Sequence, residues 1–215
     1  MTLLQQPISV SIPPTDLPGD LRLPDRPRGL VIFAHGSGSS RLSPRNQQVA
    51  DGLFEVELAS LLFDLLTEDE ARDRMNVFDI DLLAERLVQA IDWSHGHAAL
   101  FDLPIGLFGA STGAAAALKA AALRPRLVSA VVSRGGRPDL AGDALLHVKA
   151  PCLLIVGGND EPVLTWNRQA HSLLGAASEL DVIPGATHLF EEPGAMDKVV
   201  RRATLWLSGH LNRVR

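Results

Sequence analysis

The chain has 215 residues, a formal net charge of −5 and 46% hydrophobic residues. This length favours one domain over residues 1–215 with a substantial core, and the composition is typical of a globular protein. The charge is spread along the chain without a basic stripe, which argues against a nucleic-acid partner. The single cysteine, Cys152, excludes an internal disulfide and a multi-cysteine metal site.

Signals for secretion or membrane insertion are missing from the sequence. Residues 1–6 lack the basic residues and apolar centre of a signal peptide, and no apolar run approaches membrane-spanning length. We therefore expect a cytoplasmic protein without a membrane partner, present as a monomer or a homodimer.

Short apolar runs alternate with helical patterns along the chain. Two leading strands are predicted at Ile8–Ile12 and Leu21–Leu23. The later predicted strands, apolar as in a buried sheet, are Leu30–Ala34, Leu58–Phe63, Ile105–Phe108, Val128–Val132, Cys152–Val156 and a shorter Leu180–Ile183. The predicted helices are Pro44–Val56, Phe78–Trp93, Ser111–Leu123, Val163–Leu174 and Ala195–Leu211. This order predicts an α/β fold with a mostly parallel central sheet and helices on both faces.

Two connections bear on whether a cap covers the carboxyl ends of the strands. The segment Arg134–Val148 is short and leaves little room for a large cap domain. The segment Leu65–Val77 is acidic and lacks strand character, so it is the better candidate for a small flap.

A Gly-x-Ser-x-Gly sequence lies where a predicted strand passes into a predicted helix. Gly109 and Gly113 flank Ser111, which this context would place in a strained turn with an exposed hydroxyl. Backbone N–H groups at the helix start would point toward the same place. Alone, the motif also fits an ordinary small-residue turn.

Two later loops supply the acid and the base that a serine nucleophile needs, in the chain order serine, acid, histidine. Asp160 follows the strand that ends at Val156, and His188 follows the last strand. His188 would accept the Ser111 proton, and Asp160 would orient the imidazole. The alternatives are a solvated loop histidine and a turn or capping aspartate, and Glu161 competes for the acid role. The three positions together favour nucleophilic acyl chemistry.

The glycine-rich loop His35–Arg41 follows the third strand and predicts the second half of an oxyanion site. Its backbone can approach a substrate closely, so we assign the donors to the N–H groups of Ser37 and Thr112. His35 would brace the loop. The competing interpretation is a dinucleotide-binding loop, but its third glycine is missing, and we expect neither a cofactor nor a metal.

Arginines near the predicted site could bind an anionic group of the substrate. Arg134 and Arg137 follow the sixth strand, at the edge where ligands bind in open α/β sheets, and Arg41 follows the third. Arg45 is a similar candidate that we place on a solvated helix start. A guanidinium can hold a carboxylate or phosphate through two hydrogen bonds. The alternative is a structural brace, such as a pair between Arg134 and Asp139.

Together these motifs resemble those of the α/β-hydrolases in their dienelactone hydrolase-like branch, over almost the whole chain. The resemblance depends on His35–Gly38, Gly109–Gly113, Asp160 and Gly185–His188. It implies a cofactor-free hydrolase that cleaves an ester, lactone or related acyl bond of a small molecule through Ser111. The namesake enzymes use cysteine as nucleophile, so the better match is to serine-bearing members, some of which are fused to phosphoribosyltransferase domains. An acyltransferase and a non-catalytic binding or partner protein on the same scaffold remain open.

Overall fold

The computed structural model describes residues 6–174 and 177–212. Its strands are β1 Ile8–Ile12, β2 Leu17–Arg22, β3 Gly29–Ala34, β4 Leu58–Phe63, β5 Ile105–Ala110, β6 Val128–Arg134, β7 Cys152–Gly157 and β8 Ser178–Ile183. They form one sheet in the order β1-β2-β4-β3-β5-β6-β7-β8. β2 pairs antiparallel with β1 and β4, and the other neighbours run parallel. The predicted mostly parallel sheet is confirmed.

Helices cover both faces of this sheet. They are α1 Pro44–Glu55, α2 Arg74–Phe78, α3 Ile80–Gly96, α4 Thr112–Leu123, α5 Glu161–Leu173 and α6 Ala195–His210. α3 packs against α4, and α1 packs against α6. Each parallel connection must cross over the sheet, which is why helices alternate with strands in the sequence.

The core lies in two layers, one on each side of the sheet. Along β3, Leu30 and Ile32 join an apolar cluster with residues of α3 and α4, whereas Val31 and Phe33 join a second cluster with residues of α1 and α6. Successive side chains of a strand point to opposite faces, so a strand covered on both sides must be apolar throughout. This explains the unbroken apolar runs in the sequence.

Several element boundaries differ from prediction by one to four residues, and local hydrogen bonding explains two of these differences. β2 begins at Leu17 rather than Leu21, since Pro18 pairs with Ser11 and its carbonyl accepts the Asp64 N–H at 3.0 Å. α3 begins at Ile80 rather than Phe78, because the Asp79 carboxylate accepts the N–H groups of its first turn. The capping aspartate therefore separates α2 from α3.

The two connections that could carry a cap are both small. A 3-10 helix at Glu70–Arg72 and α2 lie in the predicted flap, where Glu70 accepts hydrogen bonds from Thr67 at 2.9 Å and Arg86 at 2.7 Å. The connection after β6 contains 3-10 turns over Pro138–His147, with a kink at Gly142. In the described part of the chain, neither segment forms a cap domain.

No helix among residues 6–174 and 177–212 is both long and apolar enough to cross a bilayer. Over the same ranges, no group of three or more histidine, cysteine, aspartate or glutamate side chains is placed to hold a metal ion. Residues 1–5, most of the segment compared with a signal peptide, lie outside the described residues.

Candidate active site

Ser111 lies in the sharp turn between β5 and α4. Its φ of 51° and ψ of −120° are values that residues other than glycine rarely adopt. The Ser111 N–H donates to the Arg134 carbonyl at 3.2 Å, and the Ser111 carbonyl accepts from the N–H groups of Arg137 at 3.0 Å and Ala114 at 3.1 Å. Hydrogen bonds on both sides thus hold the strained turn predicted from the sequence.

The two glycines of the motif allow this turn to pack closely. A Cβ atom on Gly113 would collide with the carbonyl oxygens of Ala34 and His35, and one on Gly109 would collide with the backbone of Ala114. A side chain at either position would push α4 away from β5 or from the loop after β3. The motif therefore brings the Ser111 turn and that loop into contact.

His188 and Asp160 form a hydrogen-bonded pair at the carboxyl ends of β8 and β7. His188 Nδ1 lies 2.7 Å from Asp160 Oδ2, and the Asp160 side chain is 12% exposed. Asp160 occupies the N-cap position of α5, but its side chain makes no capping hydrogen bond. Glu161, the competing acid, is exposed. The carboxylate of Asp160 is thus used to orient His188.

Ser111 and His188 line the same cavity, which has a volume of about 270 Å³. Among the described residues, no hydrogen bond joins the Ser111 hydroxyl to the imidazole. Hydrogen bonds between catalytic groups are often long in unliganded sites and shorten when substrate binds. The structure therefore brings the three predicted residues to one site, although Ser111 and His188 are not hydrogen-bonded to each other in it.

The two predicted oxyanion donors are also neighbours, but only one of them is free. The Ser37 N–H donates to the Thr112 hydroxyl at 2.9 Å. The Thr112 N–H, at the first position of α4, has no acceptor among the described residues. In this structure the Thr112 side chain supplies an acceptor for the Ser37 N–H, and the assignment of Ser37 as an oxyanion donor stays a prediction.

His35 braces the loop after β3, as predicted. Its Nε2 accepts the Leu65 N–H at 3.1 Å, and its Nδ1 lies 3.0 Å from the Gly36 carbonyl. Accepting through Nε2 and donating through Nδ1 requires the neutral ring. Desolvation by burial lowers the pKa of His35, which favours the same neutral form.

We expect acidification to destabilise the fold through His35. Folding lowers the pKa of His35, so the imidazole binds a proton more readily in the unfolded chain than in the folded one. The free energy of unfolding therefore falls as the pH drops through the ordinary histidine pKa of about 6.5. The melting temperature of the parent should therefore decrease more between pH 7.5 and 5 than that of His35→Gln. The exposed His147 provides the control, since His147→Gln should keep the parental dependence. Parallel curves for the parent and His35→Gln would contradict this assignment.

Arg41 and Arg137 do not occupy the predicted substrate-binding positions. Arg41 pairs with Asp64. Arg137 makes three hydrogen bonds to Asp139, from Nε at 2.9 Å and 3.3 Å and from Nη2 at 2.7 Å. The Arg137 guanidinium also stacks 3.9 Å from the Trp166 ring centre. Neither arginine lines the cavity at Ser111. Both are structural braces, because nearby carboxylates already neutralise their charges.

Arg134 differs from these two braces. The residue is 7% exposed, it lines the cavity with Ser111, and its Nε is buried without a hydrogen-bond partner. Its guanidinium carbon lies 6.0 Å from the ring centre of Phe190. Burial, and then the charge of Arg45, lower the pKa of Arg134 to about 10, so it remains a cation at neutral pH. The alternative pair with Asp139 is made by Arg137 instead.

Arg45, expected on a solvated helix start, lines the same cavity. Its Nε is buried without a partner, and its Nη1 lies 3.6 Å from Glu191. Its position in the first turn of α1 could have indicated this, because the loop that carries Ser37 leads directly into that helix. Arg45 therefore lines the cavity that the sequence led us to expect for Arg41, whereas Arg41 pairs with Asp64.

Asn167 is a buried residue of the site region that the sequence did not reveal. It is 0% exposed, and its Nδ2 donates to the carbonyls of Gly136 at 2.9 Å and Val163 at 2.8 Å. The bond to Gly136 joins α5 to the loop after β6, and the bond to Val163 lies within α5. A lone asparagine in a helical pattern gives no sign of such a contact.

A second, more apolar cavity of about 230 Å³ adjoins the first. The two share Gly36, Ser37 and Ser39, so the loop after β3 lies between them. Residues contributed by the predicted flap and α3 line the second cavity, including Leu65, Leu66, Ala71, Val77 and Leu83. The flap thus borders the apolar cavity rather than the one at Ser111.

Comparison with known proteins identifies the family. The sequence model of the dienelactone hydrolase family matches residues 44–207. The chain belongs to this family. Its fold is also that of a crystal structure described as a dienelactone hydrolase from Anabaena variabilis, at 53% identity and a TM-score of 0.92, over 96% of this chain and 97% of that one.

Two further relatives extend the comparison. A Mycobacterium tuberculosis H37Rv protein with the provisional name of a phosphoribosyl transferase is 54% identical over 210 residues, which are 97% of this chain and 47% of that protein. The chain therefore spans about half the length of the curated relatives it matches. Est1E from Butyrivibrio proteoclasticus has the same fold, with a TM-score of 0.80 at 16% identity over 96% of this chain and 99% of that one. The α/β-hydrolase fold is confirmed, and family membership supports a hydrolase.

Proposed function

We propose that this dienelactone hydrolase family member is a serine hydrolase. It would cleave a carboxylic ester, lactone or related acyl bond through an acyl-enzyme on Ser111. The observation that supports this most directly is the cavity at which the strained Ser111 turn meets His188, itself bonded to Asp160. A protein that only binds a ligand has no need of this arrangement.

In the proposed reaction, Nε2 of His188 accepts the Ser111 proton while the serine oxygen attacks the acyl carbon. Asp160 holds Nδ1–H and stabilises the imidazolium that results. His188 then gives the proton to the leaving oxygen, and the acyl group stays on Ser111. Water, activated by the same imidazole, attacks this acyl-enzyme and restores the free serine.

The oxyanion of each tetrahedral intermediate would be held by backbone donors at the start of α4 and in the loop after β3. The Thr112 N–H is free for this purpose. Rotation of the Thr112 side chain would release the Ser37 N–H, 2.9 Å from its present acceptor, as the second donor. Losing one such donor typically costs about 10²–10³ in kcat.

A fluorophosphonate probe tests the nucleophile directly, because it forms a stable bond only with an activated serine. The purified chain should become labelled at Ser111, as located by peptide mass spectrometry, and Ser111→Ala should stay unlabelled. Labelling of another serine, or equal labelling of Ser111→Ala, would refute the assignment. A separate assay with an ester substrate tests the acyltransferase alternative. Transfer of the acyl group to an added alcohol faster than to water would indicate that alternative.

The provisional transferase name belongs to a protein about twice as long as this chain, and more than half of that protein lies outside the match. The chemistry proposed here depends only on residues that the chain itself contains. That residues 1–215 form one domain, that the protein is a monomer or homodimer, and that it is cytoplasmic all stay predictions.

A further inference from the structure

The cavity at Ser111 contains two guanidinium groups that the acyl chemistry does not use. Arg134 is 7% exposed, and Arg45 contributes from the first turn of α1. The Nε atoms of both are buried without a hydrogen-bond partner. Buried polar groups normally find a partner. The Arg134 side chain makes no hydrogen bond or ion pair with any described residue, so its guanidinium group at the cavity points to an acceptor that comes from outside the chain.

The charge balance of the cavity supports the same conclusion. Its lining contains Arg45 and Arg134 but no aspartate or glutamate. Asp160 is bonded to His188. Glu191, whose side chain is 68% exposed, forms an ion pair with Arg45 at 3.6 Å from outside the cavity lining. Arg134 forms no ion pair with any described residue. An uncompensated buried cation destabilises a fold, so this arrangement favours a ligand that neutralises it.

The start of α1 adds to the positive potential. Ser43 and Asn46 from its N-terminal turn line the cavity together with Arg45. The N-terminus of a twelve-residue helix carries partial positive charge and favours anions. This contribution is secondary to Arg134, whose buried and unpartnered guanidinium is the deciding feature.

We propose that this cavity binds a phosphate dianion that is part of the substrate, so that the enzyme acts on phosphate-bearing esters. The inference rests on the proposed serine hydrolase function, which it makes more specific. Because the Glu191 partner of Arg45 is largely exposed, a bound anion can replace it. A phosphate dianion then neutralises both guanidinium groups, whereas a carboxylate neutralises only one. Guanidinium groups also match phosphate oxygens through paired hydrogen bonds.

Inorganic phosphate is the probe for this site, and its binding does not require catalysis. Calorimetry on the full chain and on Ser111→Ala, at constant ionic strength, should show one phosphate bound per chain in both proteins. Arg134→Gln and Arg45→Gln should each weaken binding about tenfold or more, the range for a lost charge-assisted hydrogen bond. Acetate should bind at least about tenfold more weakly than phosphate to the parent.

Arg124→Gln is the matched control, because Arg124 pairs with Asp92 at the opposite end of α4 from Ser111. This variant should bind phosphate as the parent does. Arg134→Gln should melt at the parental temperature or above, since it removes an unpaired buried charge. That result would show that weaker phosphate binding by Arg134→Gln does not come from unfolding. Arg45→Gln tests phosphate binding independently, because Arg45 is less buried than Arg134.

Three results would overturn the proposal: no saturable phosphate binding by the parent and Ser111→Ala, acetate binding as tight as phosphate binding, or equal weakening by Arg124→Gln. The probe reaction at Ser111 distinguishes this failure from failure of the proposed function. Labelled Ser111 without phosphate binding removes only the phosphate assignment. Phosphate binding with an unreactive Ser111 removes the hydrolase mechanism instead.

Discussion

Ser111→Ala is expected to abolish ester hydrolysis and leave the fold intact. Loss of the nucleophile in a serine hydrolase reduces kcat by about six orders of magnitude, since the acyl-enzyme cannot form. The substitution keeps the Cβ atom, and the backbone bonds that hold the turn involve only the N–H and carbonyl of residue 111. Initial rates on a 4-nitrophenyl ester, together with a thermal melt, measure both expectations.

Ser172→Ala is the control for this experiment, because Ser172 is an exposed residue of α5 that does not line the cavity. Its rate should equal that of the parent. Full activity of Ser111→Ala with an unchanged melting temperature would exclude covalent catalysis by this serine.

Asp160→Asn is expected to lower kcat by about 10⁴ at neutral pH. The amide can donate to Nδ1 of His188, and this favours the tautomer that carries its proton on Nε2 and cannot accept the serine proton. The 2.7 Å contact between Asp160 and His188 is the basis for this expectation. Steady-state kinetics should show the loss in kcat, while the melting curve stays cooperative.

Glu161→Gln removes the neighbouring carboxylate and is the matched control. Glu161 is exposed, so its neutralisation should leave kcat within about twofold of the parent, as for a surface substitution. A large loss in Glu161→Gln, or a fully active Asp160→Asn, would show that the acid has been assigned to the wrong residue.

The parts of the fold that the sequence predicted best are those where one strong local pattern decides the structure. β4 was predicted with its observed ends, Leu58 and Phe63, because its apolar run is bounded by polar residues. The grouping of Ser111, Asp160 and His188 followed from topology, since parallel strands place the loops at their carboxyl ends along one edge.

The direction of individual side chains could not be predicted in the same way. Arg41 and Arg45 are four residues apart, yet only Arg45 lines the cavity at Ser111. Arg41 instead forms an ion pair with Asp64, which follows the end of β4. Likewise, the bond from the Ser37 N–H to the Thr112 hydroxyl joins residues 75 positions apart. Such choices depend on which partner lies nearby in the folded chain.

The hydrogen bond from Asn167 to Gly136 has a consequence for the stability of the site geometry. It joins α5, at whose start Asp160 lies, to the segment after β6, where the Arg134 carbonyl accepts the Ser111 N–H. Separating these parts breaks this buried hydrogen bond, at a cost of about 1–3 kcal/mol. Arrangements in which acid and nucleophile are misaligned are then about ten- to hundredfold less populated. The catalytic groups are in this sense preorganised, so little of the substrate's binding energy is spent on bringing them together.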